Sequence, residues 1–233
     1  MNGSHRLRGL ELLAACAGVG AFLLVALACI GSGLLYTGAE GERYSPLNHW
    51  ISELGQLGIS DGAALFNAAL MLGGGAFGLF VTGLAMTSPS RLRWAFGPVG
   101  VVAGIGGIFV GVYPMNEGAL HVAAAATFFN FGWVFVALAS LAFVRGRERR
   151  HPAWLATLGA ATVVTTLAFL VSLRVDTFSR ERMASSGPIL ERPDLWIATI
   201  LEWATLLGIM AWVLLASVAW LRELIRETGE APA

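Results

Sequence analysis

The chain has 233 residues, of which 56% are hydrophobic and only 13% charged, with 29 glycines and a formal net charge of zero. A soluble domain of this size would have too little polar surface to cover itself, so lipid has to act as solvent for much of the molecule. All fifteen basic side chains are arginine and none is lysine, which reflects GC-rich codon usage and a bacterial source rather than a nucleic-acid-binding patch; no nucleic-acid partner is expected.

The first apolar run contains both cysteines, Cys16 and Cys29, where they behave as small hydrophobes and no disulfide is expected. Leu13-Ala14-Ala15-Cys16 looks like a lipoprotein processing site. In such a signal the apolar stretch precedes the cysteine, whereas here it continues almost to Tyr36, so a retained helix is expected. Stretches able to cross a hydrocarbon core of ~30 Å, at ~20 residues each, run Leu10 to Leu35, Ala63 to Met86, Ala95 to Tyr113, Leu120 to Val144, Ala153 to Leu173 and Leu195 to Leu221. The expected fold is an all-α, polytopic bundle of six transmembrane helices, a single domain over residues 1–233 with short tails at about 1–9 and 222–233.

Arginine sets the expected orientation. Arg6, Arg8, Arg91, Arg93, Arg145, Arg147, Arg149, Arg150, Arg222 and Arg226 fall on one side, which the positive-inside rule makes cytoplasmic together with both termini. Arg43, Arg174, Arg180, Arg182 and Arg192 are diluted among acidic residues on the other side. A multi-pass protein of the bacterial cytoplasmic membrane is expected. In the third span Gly97, Gly100, Gly104, Gly107 and Gly111 form one stripe, against which Gly74 and Gly78 of the second span offer a close-packing surface.

The first outer loop reads Tyr44-Ser45-Pro46-Leu47-Asn48-His49-Trp50-Ile51-Ser52-Glu53-Leu54-Gly55. Ser45 can cap and Pro46 can begin a short helix that Gly55 ends. As a helix it is amphipathic: Leu47, Trp50, Ile51 and Leu54 share one face, and Asn48, His49, Ser52 and Glu53 the other. One reading is an interfacial anchor with Trp50 at the headgroups; the other is a functional polar face. Asn67, His121 and Glu202 each follow a span's outer boundary by on the order of 3–12 Å, while Asn130 is nearer mid-membrane. A carboxylate within a span is costly without a partner, and His121 is the partner to test for Glu202. His49, Ser52, Glu53, His121 and Glu202 are therefore candidate catalytic residues, and Asn67, Trp50 and Asn130 candidate substrate contacts, around a cavity open to the outer leaflet. A buried hydrogen-bond cluster that only fixes helix packing is the structural alternative.

His49 and Glu53, four residues apart, could ligate one metal, with His121 and Glu202 completing a four-ligand set for a divalent ion such as zinc. HExxH and paired cysteines are absent, and no motif requires a cofactor. A serine-based site from Ser52, His49 or His121, and Glu53 has the right residue types without a spacing that fixes its geometry.

The loop Ile51-Ser52-Glu53-Leu54-Gly55, with Leu65-Phe66-Asn67 beyond it and His121 opening the fourth span, resembles the uncharacterised prokaryotic membrane family called domain of unknown function 998, over about Leu10 to Arg222. Loop and hairpin also have a fainter likeness to the eukaryotic DRAM, Sfk and Frag proteins, the last associated with remodelling of GPI lipids. The resemblance implies six helices and points toward lipids without implying an activity. Membrane ceramidase-like hydrolases, which the layout partly resembles, use more histidines than this chain offers, which counts against a zinc amidase.

The function expected is binding or processing of a lipid-like molecule at the outer leaflet, with membrane lipids as partners; whether chemistry follows binding is open. The alternatives are a scaffold engaging another membrane protein and a small-solute transporter, although inverted repeats and interrupted helices are not evident and the echo of Leu65-Phe66-Asn67 in Phe128-Phe129-Asn130 does not make a repeat. Orientation is directly testable: cysteines placed at Ser60 and Ser185 should react with an impermeant thiol reagent in intact cells and one at Ser90 should not, and the reverse pattern would invert the topology.

Overall fold

The computed structural model describes residues 3–146, 152, 154–183 and 187–229. It is all-helical: α1 (Gly3–Leu35), α2 (Ala63–Thr87), α3 (Arg93–Val112), α4 (Ala119–Gly146), α5 (Trp154–Val175), the short α6 (Thr177–Met183) and α7 (Ile197–Gly229), with 3₁₀ turns at Ile51–Gly55 and Met115–Glu117. Six of these helices are long and apolar enough to cross a membrane. Their limits fall close to those expected, except that α1 begins at Gly3 rather than Leu10 and α7 runs past Leu221 to Gly229. The extension is polar, and the Arg226–Glu223 pair at 2.7 Å supports it, as i, i+3 pairs do on exposed helices. Arg147, Arg149, Arg150, Ala153 and Ser185 lie outside the described residues.

The spanning helices form a ring in chain order, α1 to α5 and then α7, which closes against both α5 and α1. The seam between α2 and α3 is built from glycine: a Cβ on Gly74 would lie 2.8 Å from the Gly104 carbonyl oxygen and 2.7 Å from the Ile108 nitrogen. A Cβ on Gly104 would in turn lie 3.0 Å from the Gly74 carbonyl. Backbones this close leave no room for a side chain, which is the small-residue packing expected of these two helices. Gly106, off the expected stripe, does the same against α4, where a Cβ would meet the Phe128 nitrogen at 2.6 Å.

One end of the bundle carries the 36–62 loop, the Met115–Glu117 turn, α6 and the chain leading into α7. Here the loop helix departs from expectation. Pro46–Asn48 make one turn closed by the Ser45 carbonyl, which accepts from the Asn48 and His49 amides at 3.2 and 2.9 Å. Trp50 is extended, with ψ of 146°, and helix resumes only as the 3₁₀ turn Ile51–Gly55. The sides do not divide into lipid and water either: Leu47, on the expected apolar face, is 51% exposed, whereas His49 and Glu53 of the polar face are 3% and 1% exposed. The segment is a plug held inside the bundle mouth, because its Trp50 and Ile51 amides and the Glu53 carboxylate find partners there.

Close approach again requires glycine. A Cβ on Gly55 would lie 2.3 Å from Asn67 Oδ1, and one on Gly62 would lie 2.5 Å from the Ser32 Cα. Ser60 is itself buried and bridges to Tyr36, so a labelling cysteine at this end belongs at exposed Leu57 instead.

Candidate functional site

The plug brings unpaired amides into an apolar bundle, and two carboxylates satisfy consecutive ones. Glu53 Oε1 accepts from the Trp50 amide at 2.8 Å, the glutamate half of a capping box at the start of the 3₁₀ turn. Glu202, about 7.5 Å along α7 from Ile197 by helix rise, accepts from the Ile51 amide through Oε2 at 2.8 Å. Asn67 Nδ2 donates to the Gly55 carbonyl at 2.8 Å and closes the far end. Two further segments hold the plug from above: the Trp196 amide donates to the Leu47 carbonyl at 2.8 Å, and Asn116 pairs with both backbone groups of Leu57.

The two buried carboxylates differ in their charge environment. Glu53 Oε2 meets Arg192 Nη1 at 3.0 Å and the Tyr36 hydroxyl at 3.4 Å, and Arg192 also lies 3.5 Å from Glu42. Burial nevertheless raises the Glu53 pKa, against the pull of Arg192 and of its hydrogen bonds. Among the described residues Glu202 has no basic partner, and its one hydrogen bond is to Ile51.

Beneath the plug lie two adjoining cavities, each of about 70 Å³, sharing Ser52, His121, Ala125, Phe129 and Glu202 at their junction. The first descends between α1, α2, α3, α4 and α7 past Leu70, Phe77, Val110, Leu206 and Met210. The second runs between α4 and α5 past Val122, Phe169 and Leu173. The first is polar near the plug and apolar below it, whereas the second also carries Asn130 further along α4. By volume, each accommodates a few waters or a short length of hydrocarbon.

At the junction His121 Nδ1 lies 2.8 Å from the Tyr113 carbonyl. A carbonyl only accepts, so Nδ1 carries the proton and Nε2 of the neutral ring is an acceptor. His121 and Glu202 line the same cavities but form no hydrogen bond or ion pair with each other; a bound molecule or water must lie between them for them to act together. Ser52 Oγ donates to Met115 Sδ at 3.7 Å rather than to a histidine. Asn130 lines the second cavity with its amide donating to the Ala126 carbonyl at 2.8 Å.

Other candidates lie apart from the junction. His49 stacks edge-on against Tyr36 and near Tyr44, at centroid distances of 5.4 and 5.1 Å, with Nδ1 held by Asn48 Oδ1 at 2.8 Å. The four residues considered for a metal do not converge, and no group of three or more His, Cys, Asp or Glu that could hold an ion occurs among the described residues: His49 is enclosed by tyrosines and Glu53 is engaged by Arg192. Nor do Ser52, a histidine and Glu53 form a hydrogen-bonded relay. Trp50, expected as a substrate contact or a headgroup anchor, is 2% exposed, packs on Trp196 at 4.8 Å and lines the second cavity.

A family model described as protein of unknown function (DUF998) matches residues 23–219. The chain belongs to that family. The match takes in the plug, both cavities and every residue of the junction. No curated protein and no solved structure matches the chain.

Sequence reasoning counted Arg192 only among the outer-loop arginines and missed its place against the plug. Its partner Glu53 lies 139 residues away, beyond any local spacing rule. Also missed was the Tyr44–Trp203 bond, in which the indole donates to the phenol at 3.0 Å while that phenol donates to the Trp50 carbonyl at 3.1 Å.

Replacing Arg192 by Leu should destabilise the detergent-solubilised protein by ~3–5 kcal/mol, since it strands the buried Glu53 carboxylate, and Arg192→Leu with Glu53→Leu should recover much of the loss. An unchanged melting temperature for the single variant would show that the pair does not hold the plug. A pH test addresses His49, whose pKa is lowered to about 4, first by burial and then by Arg192. Between about 6.5 and 4 the unfolded chain binds more protons than the folded one, so stability present above that window is lost as pH falls through it. Glu53 acts oppositely: its raised pKa contributes stability at low pH that is lost as pH rises through the folded value. Comparing melting temperature against pH for wild type and His49→Phe isolates the histidine; the variant should lack the acid-side component, and parallel curves would assign it elsewhere.

Proposed function

We propose that this membrane protein binds a lipid-like amphipathic molecule, its head against Ser52, His121 and Glu202 and its chain among the apolar walls below. The observation that carries this reading is the gradient within the first cavity, polar at the plug and apolar toward the bundle interior. A small-molecule site of this kind uses few polar groups to orient a ligand and apolar walls to hold it. Binding is favoured over acyl transfer because the Ser52 hydroxyl is engaged by Met115 and Glu202 by the Ile51 amide. The plug end is assigned to the outer leaflet of a bacterial plasma membrane, a reading supported by Arg8, Arg91, Arg93, Arg145, Arg222 and Arg226 at the opposite ends of their helices and connecting turns.

Mass spectrometry of lipid retained by the purified protein tests the site. The wild type should carry a defined species in near-stoichiometric amount. Ala125→Phe, which places a ring where the two cavities meet, should lose it while eluting as a normally folded protein. Bulk membrane composition in both preparations would overturn the proposal.

A further inference from the structure

We infer that the bound molecule has a hydrogen-bond-donating head that is not anionic, the class of long-chain alcohols and amines rather than phosphates or carboxylates. This rests on the lipid-site reading above and concerns what the junction can recognise.

The junction offers hydrogen-bond acceptors that have no partner of their own among the described residues. His121 has its Nδ1 hydrogen on the Tyr113 carbonyl, which leaves the Nε2 lone pair of the neutral ring. Ser52 directs its hydrogen to Met115 Sδ, leaving oxygen lone pairs. Glu202 accepts from Ile51 through Oε2 and retains a second carboxyl oxygen. Both His121 and Glu202 are more than nine-tenths buried, at 5% and 7% exposure, so a ligand competes with little bulk water for them.

Among the described residues no arginine lines either cavity. Arg192, which approaches the plug, is engaged by Glu53 and Glu42 and by the Asn48 and Ile189 carbonyls. An anionic head at the junction would therefore be buried in apolar surroundings with no cation to compensate its charge. An alcohol or ammonium group instead brings hydrogens to acceptors that need them. Trp50, which lines the second cavity, has its Nε1 donor buried without a partner among the described residues, and an alcohol oxygen can accept from such a donor without bringing charge.

The test uses the full chain, delipidated in non-ionic detergent near neutral pH, with four probes of one chain length: oleyl alcohol, oleylamine, oleate and oleyl phosphate. Thermal shift and native mass spectrometry should show the alcohol and amine binding at least tenfold more tightly than either anion. Glu202→Gln, which keeps an acceptor for Ile51, should fold normally and lose at least tenfold in affinity for the amine. Oleate or oleyl phosphate binding as tightly as the alcohol would overturn the head-group assignment while leaving the lipid site standing. If no probe binds and Ala125→Phe leaves the co-purifying lipid unchanged, the lipid site itself fails and the assignment with it. If no probe binds but Ala125→Phe removes a defined lipid, the head of that lipid decides: an anionic head overturns the inference and an alcohol or amine sustains it.

Discussion

A stretch of non-helical backbone within an apolar bundle must find hydrogen-bond partners from protein, because lipid supplies none. Residues 50–55 meet this constraint with carboxylates from two distant places, Glu53 on the Trp50 amide and Glu202 on the Ile51 amide, and with Asn67 on the Gly55 carbonyl. The position of the plug follows from these bonds, and so does the existence of the chambers beneath it. Removing one partner leaves a buried polar group desolvated without compensation, which costs more than the net worth of an ordinary hydrogen bond.

The same constraint separates the roles of the two acids. Glu53 is surrounded by donors and an arginine, and it serves as a structural pin. Glu202 also holds backbone but faces the cavities without a basic partner among the described residues. In the proposed site, a group that both fixes the plug and contacts the ligand couples occupancy to the mouth of the bundle: a head group drawing on Glu202 acts on the carboxyl that accepts from Ile51. His121 is fixed in its tautomer by Tyr113 from the opposite wall, so the two polar walls are oriented independently and are joined only by what lies between them.

The space beneath the plug comes from residue size. Gly73, Gly74, Gly104 and Gly107 line the first chamber while the α2–α3 seam stays closed through direct backbone approach. Large rings complete the chamber's α4 side, with Phe128 and Phe129 at a centroid distance of 5.3 Å, and Phe129 meets Phe169 of the second chamber at 5.1 Å. Small residues on one wall and rigid aromatic residues on the other leave a lasting gap where flexible side chains would have collapsed into it.

The six spans, their approximate limits and the glycine seam were legible in the sequence because lipid imposes a length and an apolar composition on each crossing, and because close helix contact imposes small residues at helical spacing. His121 and Glu202 were legible for a related reason: polar groups inside a span stand out against their neighbours. Tertiary structure decided which of the polar residues meet. Local periodicity made the loop a two-sided helix, yet its conformation depends on Arg192, Trp196, Glu202 and Asn67, all distant in the chain or across a turn, and these turned His49 and Glu53 inward while leaving Leu47 exposed. A hydrogen bond between Ile51 and a carboxylate 151 residues later leaves no local pattern, so the plug, and the cavity it roofs, exist only once the bundle has closed.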